Sequence, residues 1–196
     1  MLCWAAVIVC CSMVKVLSDE QWTEVPIQHV HLAYLRAEAS KLDPSLQAIG
    51  QALMTAPDLS GERDNNARQQ ILYTRRALVM EAIPNSTTWY EVQHLQRACL
   101  GELLVIGRCG WDDPRDRNEL LRVKLRKPIV LRGSPAEWSP PILWGHNRSG
   151  PFTILEGNHR LVAYASSKAP PELQVPVFVG ISDDVCVWHL PDPWPP

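Results

Sequence analysis

One short stretch, "PFTILEGNHRLVAYA" (residues 151–165), constrains the fold more than any other part of the chain. Its first half is apolar and includes β-branched residues, as is typical of a buried strand. A polar run, "EGNHR" (residues 156–160), interrupts it, and the apolar spacing that follows is typical of a helix. Glycine lets a chain turn without the steric cost of a Cβ atom. The stretch therefore predicts a strand, a tight turn at Gly157 and a helix that begins in the polar run.

The polar run has the chemistry of an anion-binding site. The first backbone N–H groups of a helix have no partner within the helix, and together with the helix dipole they favour an anion. Arg160 can add a forked ion pair with phosphate oxygens, and His159 can donate a hydrogen bond or exchange a proton near neutral pH. Glu156 can hold a metal ion or accept a proton. The alternative is structural: Glu156 caps the helix, while His159 and Arg160 are solvated or bond a neighbouring loop.

Residues 13–84 are predicted to be a helical N-terminal part. In "HVHLAYLRAEASKL" (residues 29–42) and "NNARQQILYTRRALVMEAI" (residues 65–83), apolar residues recur at the spacing of an amphipathic helix, and Pro84 ends the second. The charged positions of these helices are expected to face solvent: Arg36, Glu38, Lys41, Arg75 and Arg76.

Residues 85–184 are predicted to be an α+β domain. Short runs rich in apolar, β-branched or aromatic residues predict strands within residues 87–95, 101–107, 128–133, 151–157 and 175–181. Helices are expected within residues 110–127 and 158–168, and the alternation of the two element types predicts a small mixed sheet. Residues 134–150 are expected to form one long loop. The Pro- and Trp-rich residues 185–196 are expected to pack on the domain as a tail.

Composition limits the classes of function. The 196 residues include 19 Lys and Arg against 21 Asp and Glu, so no overall positive charge favours a nucleic-acid partner. Six cysteines without a CxxC pair favour reduced thiols over a disulfide framework. Residues 1–12 are apolar, but no Lys or Arg precedes the run, and the run is too short to cross a bilayer. They are interpreted as an extension of the reading frame upstream of Met13, as an apolar segment packed on the body, or as a membrane or export signal. We expect a cytoplasmic protein without a membrane partner.

The order of the elements and four short motifs resemble the ParB/sulfiredoxin superfamily. The motifs are "PIV" (residues 128–130), "GNHR" (residues 157–160), "AYA" (residues 163–165) and "VPV" (residues 175–177), and the similar region covers residues 89–181. In this superfamily a Gly-x-x-Arg turn contacts the phosphates of ATP or CTP. The resemblance implies a ParB/sulfiredoxin-like core with the phosphates of ATP or CTP at Gly157, Asn158, His159 and Arg160, and we expect Mg²⁺ to accompany the nucleotide.

The resemblance implies a nucleotide-dependent phosphotransferase or phosphohydrolase, with Glu156, His159 and Arg160 as catalytic residues and a small molecule as a further substrate. Asn158 stands where sulfiredoxins carry their cysteine, so a reductase is disfavoured. No basic helix-turn-helix segment follows the motif, so a chromosome-partition role is disfavoured as well. Two alternatives use the same turn. One is a non-catalytic nucleotide-sensing module that binds a protein partner, and the other is a small nuclease or toxin with His159 as base.

Three residues outside the turn are further candidates. His146 and Trp144 precede the motif strand, and we expect His146 to lie over the nucleotide and Trp144 to stack on its base or form a wall. The alternative is a simple hairpin-like loop. Asp112, in "GWDDP" (residues 110–114), is expected to bind Mg²⁺ together with Glu156 or to act as a base, unless it caps the next helix.

Overall fold

The computed structural model describes residues 22–55, 57–93, 95–96, 103–105, 139–150, 152–158, 160–161, 172–173 and 176–184. Its helices in this part of the chain are α1 (Ile27–Glu38), α2 (Pro44–Thr55) and α3 (Glu62–Ala82), with a 3-10 turn at Ala39–Lys41. Its strands are β1 (Trp22–Glu24), β2 (Thr88–Val92), β3 (Leu95–Gln96), β4 (Leu103–Val105), β5 (Ile142–Gly145), β6 (Phe152–Glu156), β7 (Glu172–Leu173) and β8 (Val177–Ile181).

Six strands form one mixed sheet in the order β1-β2-β8-β5-β6-β4. The β1–β2, β2–β8 and β5–β6 pairs are antiparallel, whereas the β5–β8 and β4–β6 pairs are parallel. β3 and β7 form a separate antiparallel ladder. The predicted α+β class with a mixed sheet is therefore confirmed. β6, the strand that leads into Gly157, lies between β5 and β4.

Two predictions about individual elements are wrong. Within the expected loop of residues 134–150, Ile142–Gly145 form β5, which is paired on both sides and buried at all four positions. Such a strand shows no alternation of polar and apolar residues, because both of its faces are covered. Within the part predicted to be helical, Trp22–Glu24 form β1 and pair with β2. The strand expected within residues 128–133 and the helix expected within residues 110–127 lie outside the described residues, as do residues 1–21 and 185–196.

The helices cover one face of the sheet and share a hydrophobic core with it. Its buried side chains include Val30, Tyr34 and Leu72 from the helices and Trp89, Trp144 and Leu155 from the strands. Burial of this apolar surface is the main force that holds the two layers together. The side chains on the other face are buried too, as Leu143, Val177 and Val179 show. The rings of Trp22 in β1 and Phe152 in β6 lie 6.4 Å apart, although three strands separate β1 from β6. The sheet therefore curves strongly.

α3 is the longest described helix, with 21 residues, and it is kinked. Its backbone leaves helical geometry at Arg76, where φ is −141° and ψ is 36°. The side chain there no longer follows the helical period, and it contacts Glu38 of α1. None of the helices in the described ranges has the length and apolar character needed to span a membrane.

Candidate phosphate-binding turn

The central stretch folds as a strand, a turn and the start of a helix, as predicted. β6 ends at Glu156, Gly157 follows with φ +99°, and helical geometry begins at Asn158. The backbone N–H of Leu161 donates to the carbonyl oxygen of Gly157 at 2.9 Å, which closes the first helical turn. The end of a buried strand thus passes directly into a helix N-terminus.

Glycine is required at position 157 for two reasons. Its φ lies in the left-handed region, which side chains with a Cβ atom rarely adopt. A Cβ atom on Gly157 would also lie 3.1 Å from the Cβ of Pro141 and 3.5 Å from Nη2 of Arg160. The turn is therefore packed tightly between the segment that precedes β5 and the side chain of Arg160.

Arg160 connects the turn to its surroundings. Its Nη2 lies 3.3 Å from Oε1 of Glu156, and its Nη1 donates to the carbonyl oxygen of Ser139. The hydroxyl of Ser139 donates in turn to the carbonyl oxygen of Ala33 in α1, at 2.6 Å. Burial lowers the pKa of Arg160 and the nearby Glu156 carboxylate opposes that shift, so the guanidinium stays charged. Within the described part of the chain, two of its five N–H groups have acceptors.

Asn158 has an unpaired acceptor at the start of the helix. Its Oδ1 is buried and has no hydrogen-bond partner in the described part of the chain. A buried acceptor without a donor costs free energy, and a ligand that supplies a donor or a cation would recover it. Because Mg²⁺ prefers oxygen ligands, Oδ1 of Asn158 and the carboxylate of Glu156 fit such an ion in chemical type. Within the described ranges, however, no group of three or more His, Cys, Asp or Glu side chains could hold a metal ion.

α1 lies directly against the end of β6. The hydroxyl of Tyr34 donates to the carbonyl oxygen of Leu155 at 3.4 Å, next to Glu156. Burial raises the pKa of Tyr34, and the charge of Glu156 raises it further. The phenol therefore stays protonated and serves as a donor at neutral pH. Tyr34 joins the helical layer to the strand that leads into the turn.

Glu38 and Arg76 form a second charge cluster beside the turn, and the prediction that Glu38 faces solvent is wrong. The Glu38 side chain is only 1% exposed, and its Oε1 accepts bonds from Nη2 of Arg76 at 2.7 Å and from Nζ of Lys41 at 2.8 Å. Burial tends to raise the pKa of Glu38, but these two hydrogen bonds outweigh it, so the pKa lies below its ordinary value. The carboxylate is therefore ionised, and it holds two cations at once.

The charge of Glu156 at the turn also affects the pKa of Arg76. Burial tends to lower its pKa, but the hydrogen bond to Glu38 and the neighbouring Tyr34 and Glu156 raise it above the ordinary value. The sequence gives one local signal for this cluster, since Glu38 and Lys41 are three residues apart on a helix. Nothing in the local sequence indicates that Arg76, 38 residues further along, meets the same carboxylate.

The structure does not bring His146 to the turn. β5 and β6 form a hairpin in which Ile142 pairs with Glu156, so the turn lies next to the start of β5. His146 follows the other end of β5, about 13 Å away along the ladder. Its Nδ1 lies 3.2 Å from the carbonyl oxygen of Ser182. The structure therefore places His146 in the connection of a hairpin, as in the hairpin-like alternative, and not beside the turn.

Trp144 is a core residue. Its side chain is 1% exposed, and Nε1 donates to Oγ1 of Thr87 at 3.4 Å. A ring buried to this extent offers no free face on which a nucleotide base can stack. His159 and Asp112 lie outside the described residues, and the roles expected for them stay predictions.

Two surface cavities lie in the helical layer. One of about 590 Å³ is lined in part by Leu42, Gln51 and Met54, and one of about 480 Å³ by residues of α3 that include Gln70 and Tyr73. The lining of neither includes a residue of the turn, so they add nothing to the site.

Comparison of the chain with protein-family models, with curated proteins and with solved structures gives no match. The resemblance of residues 89–181 to the ParB/sulfiredoxin superfamily accordingly stays a prediction from the motifs.

Proposed function

We propose that the chain binds the phosphates of a nucleoside triphosphate at the turn of residues 157–160 and, with Mg²⁺, transfers or hydrolyses the terminal phosphoryl group. One observation carries the proposal: the φ of +99° at Gly157 directs the end of a buried strand straight into a helix N-terminus. Such an N-terminus offers backbone N–H groups and a favourable dipole to an anion. The resemblance to the ParB/sulfiredoxin superfamily supports the same choice of ligand.

Arg160 is oriented for this role before a ligand arrives. Glu156 and the carbonyl oxygen of Ser139 each accept one of its N–H groups, and those without an acceptor among the described residues can donate to phosphate oxygens. A donor that is held in place loses little conformational entropy when the ligand binds. Arg160 thereby stabilises the charge that develops on the phosphoryl group.

The remaining polar groups of the turn have distinct roles in this proposal. Oδ1 of Asn158 and the carboxylate of Glu156 would hold Mg²⁺, which would share the negative charge of the phosphates. His159 donates a hydrogen bond to the phosphoryl group, and Asp112 accepts the proton of the attacking water or hydroxyl group.

Ligand-induced thermal stabilisation tests the binding step. With Mg²⁺, ATP or CTP should raise the Tm of the wild-type chain, and Arg160→Ala should abolish this rise. Arg63→Ala, which removes an exposed arginine from the first turn of α3, is the matched control and should respond like the wild type. A wild-type chain whose Tm no nucleotide changes would contradict the proposal.

Product analysis tests the chemical step. Release of inorganic phosphate, or phosphorylation of a small hydroxyl compound, should occur with the wild-type chain and be lost in Glu156→Gln. Binding without any product would instead indicate a nucleotide-sensing module. Degradation of RNA or single-stranded DNA that is lost in His159→Ala would indicate a nuclease.

A further inference from the structure

Two cations of the helical layer, Lys41 and Arg76, lie on the outer side of a buried carboxylate. Both contact Oε1 of Glu38, at 2.8 and 2.7 Å. The Glu38 side chain is 1% exposed, whereas those of Lys41 and Arg76 are 49% and 39% exposed. The carboxylate therefore fixes the position of both cations, while part of each side chain remains open to solvent.

The same arrangement occurs at the turn. Glu156 is 14% exposed and Arg160 20% exposed, so here too the carboxylate is the more buried partner. The Glu38 cluster and the pair of Glu156 and Arg160 together contain three cations and two carboxylates. The surplus positive charge lies on the solvent side, where it attracts an anion.

α1 sets the separation between the two pairs. Tyr34 contacts the carbonyl oxygen of Leu155 at the end of β6, and Glu38 lies four residues further along the same face of the helix. Four residues of an α-helix advance about 6 Å along its axis. The Glu38 cluster thus begins about one helical turn away from the end of β6. A chain of three phosphates extends over such a distance, and a single phosphate does not.

A purely structural tie between α1 and α3 accounts less well for the Glu38 cluster. Oε1 of Glu38 accepts hydrogen bonds from both cations. Oε2 of Glu38 and Nε of Arg76, in contrast, are buried without a hydrogen-bond partner among the described residues. An ion pair that serves stability alone would be expected to satisfy these buried atoms. The observed pairing instead holds two cations at the surface and leaves part of its own hydrogen-bonding capacity unused.

We propose that Lys41 and Arg76 form a second cationic arm of the phosphate site, so that the site takes a triphosphate chain in preference to a monophosphate. This inference is built on the proposed function. One end of the phosphate chain contacts Arg160 and the helix N-terminus, and the other end contacts Lys41 and Arg76. The helical layer then selects among ligands by the number of their phosphates, and the turn provides the anion site itself.

Titration calorimetry of the full chain with ATP, AMP and inorganic tripolyphosphate, each with Mg²⁺, tests this inference. Lys41→Gln should weaken the binding of ATP and tripolyphosphate about tenfold, because one charge-assisted contact is lost. The Kd for AMP should change less than about twofold. Arg63→Gln removes the same charge from an exposed position at the start of α3, and it should leave all three affinities unchanged.

Arg76→Gln alone leaves Glu38 with one partner and can destabilise the fold, so the double variant Glu38→Gln/Arg76→Gln is the better probe. It removes the buried charge together with its partner, and it should reduce triphosphate affinity as Lys41→Gln does. If both variants bind ATP like the wild type while Arg160→Ala does not, the second arm is refuted and the proposed function stands. Equal weakening of ATP and AMP also refutes the arm. A wild-type chain that binds none of the three ligands refutes both proposals.

Discussion

Glu38 at the end of α1 and Arg76 at the kink of α3 form an ion pair of 2.7 Å across 38 residues of sequence. Lys41 shares the same carboxylate oxygen but belongs to the adjacent 3-10 turn. The two cations therefore contribute differently to stability. Arg76 joins two helices, whereas Lys41 extends a local contact.

We expect Arg76→Gln to lower the free energy of unfolding by about 1–2 kcal/mol, since it removes a charged hydrogen bond from a carboxylate that is almost fully buried. Lys41→Gln should cost less than about 1 kcal/mol, because the Lys41 side chain is half exposed and Arg76 still satisfies Glu38. Urea denaturation of the two variants measures the difference. Equal losses would mean that Arg76 is no more than a surface partner.

The pH dependence of stability should carry the signature of His31, which is buried in α1. Burial, assisted by the nearby Arg68, lowers the pKa of His31 to about 4 from 6.5. In that interval the unfolded chain binds a proton that the folded chain excludes. The stabilisation is fully present above pH 6.5 and is lost as the pH falls towards 4, by about 3 kcal/mol in all.

Urea unfolding between pH 7.5 and pH 4.5, spaced on both sides of the ordinary histidine pKa, tests this expectation. The wild-type chain should lose stability steadily as the pH falls, and His31→Gln should lose distinctly less over the same range. The slopes are compared, because the substitution also changes packing. Parallel profiles would show that His31 does not titrate as its burial implies.

The strand, turn and helix start around Gly157 could be predicted because their determinants are local: an apolar run, a glycine and a polar interruption. β5 could not be predicted, because "ILWG" follows three residues that read "SPP" and shows no alternation. Its conformation depends on pairing with β6 and β8, which both follow it in the sequence. The contact between Glu38 and Arg76 could not be predicted, because it depends on a kink and on the packing of two helices.

The position of β5 has a consequence for His146. We expect His146→Ala to leave the affinity for ATP and Mg²⁺ unchanged within about twofold, because His146 follows the end of β5 that lies furthest from the turn. Titration calorimetry of this variant beside Arg160→Ala makes the comparison. A loss comparable to that of Arg160→Ala would contradict the hairpin register between β5 and β6.

The two glycines that flank β6 offer the sharpest test of the turn. Gly150 and Gly157 both have positive φ, +72° and +99°, and a Cβ atom on either would lie 3.1 Å from a neighbouring carbon atom. Alanine at either position should therefore cost about 1–3 kcal/mol of stability. Only Gly157→Ala should also abolish nucleotide binding, since it displaces the helix N-terminus and Arg160. Stability from urea unfolding and affinity from calorimetry separate the two effects. If Gly150→Ala removes binding as fully as Gly157→Ala does, the loss reflects a general disturbance of β6, and the anion site does not lie at the turn.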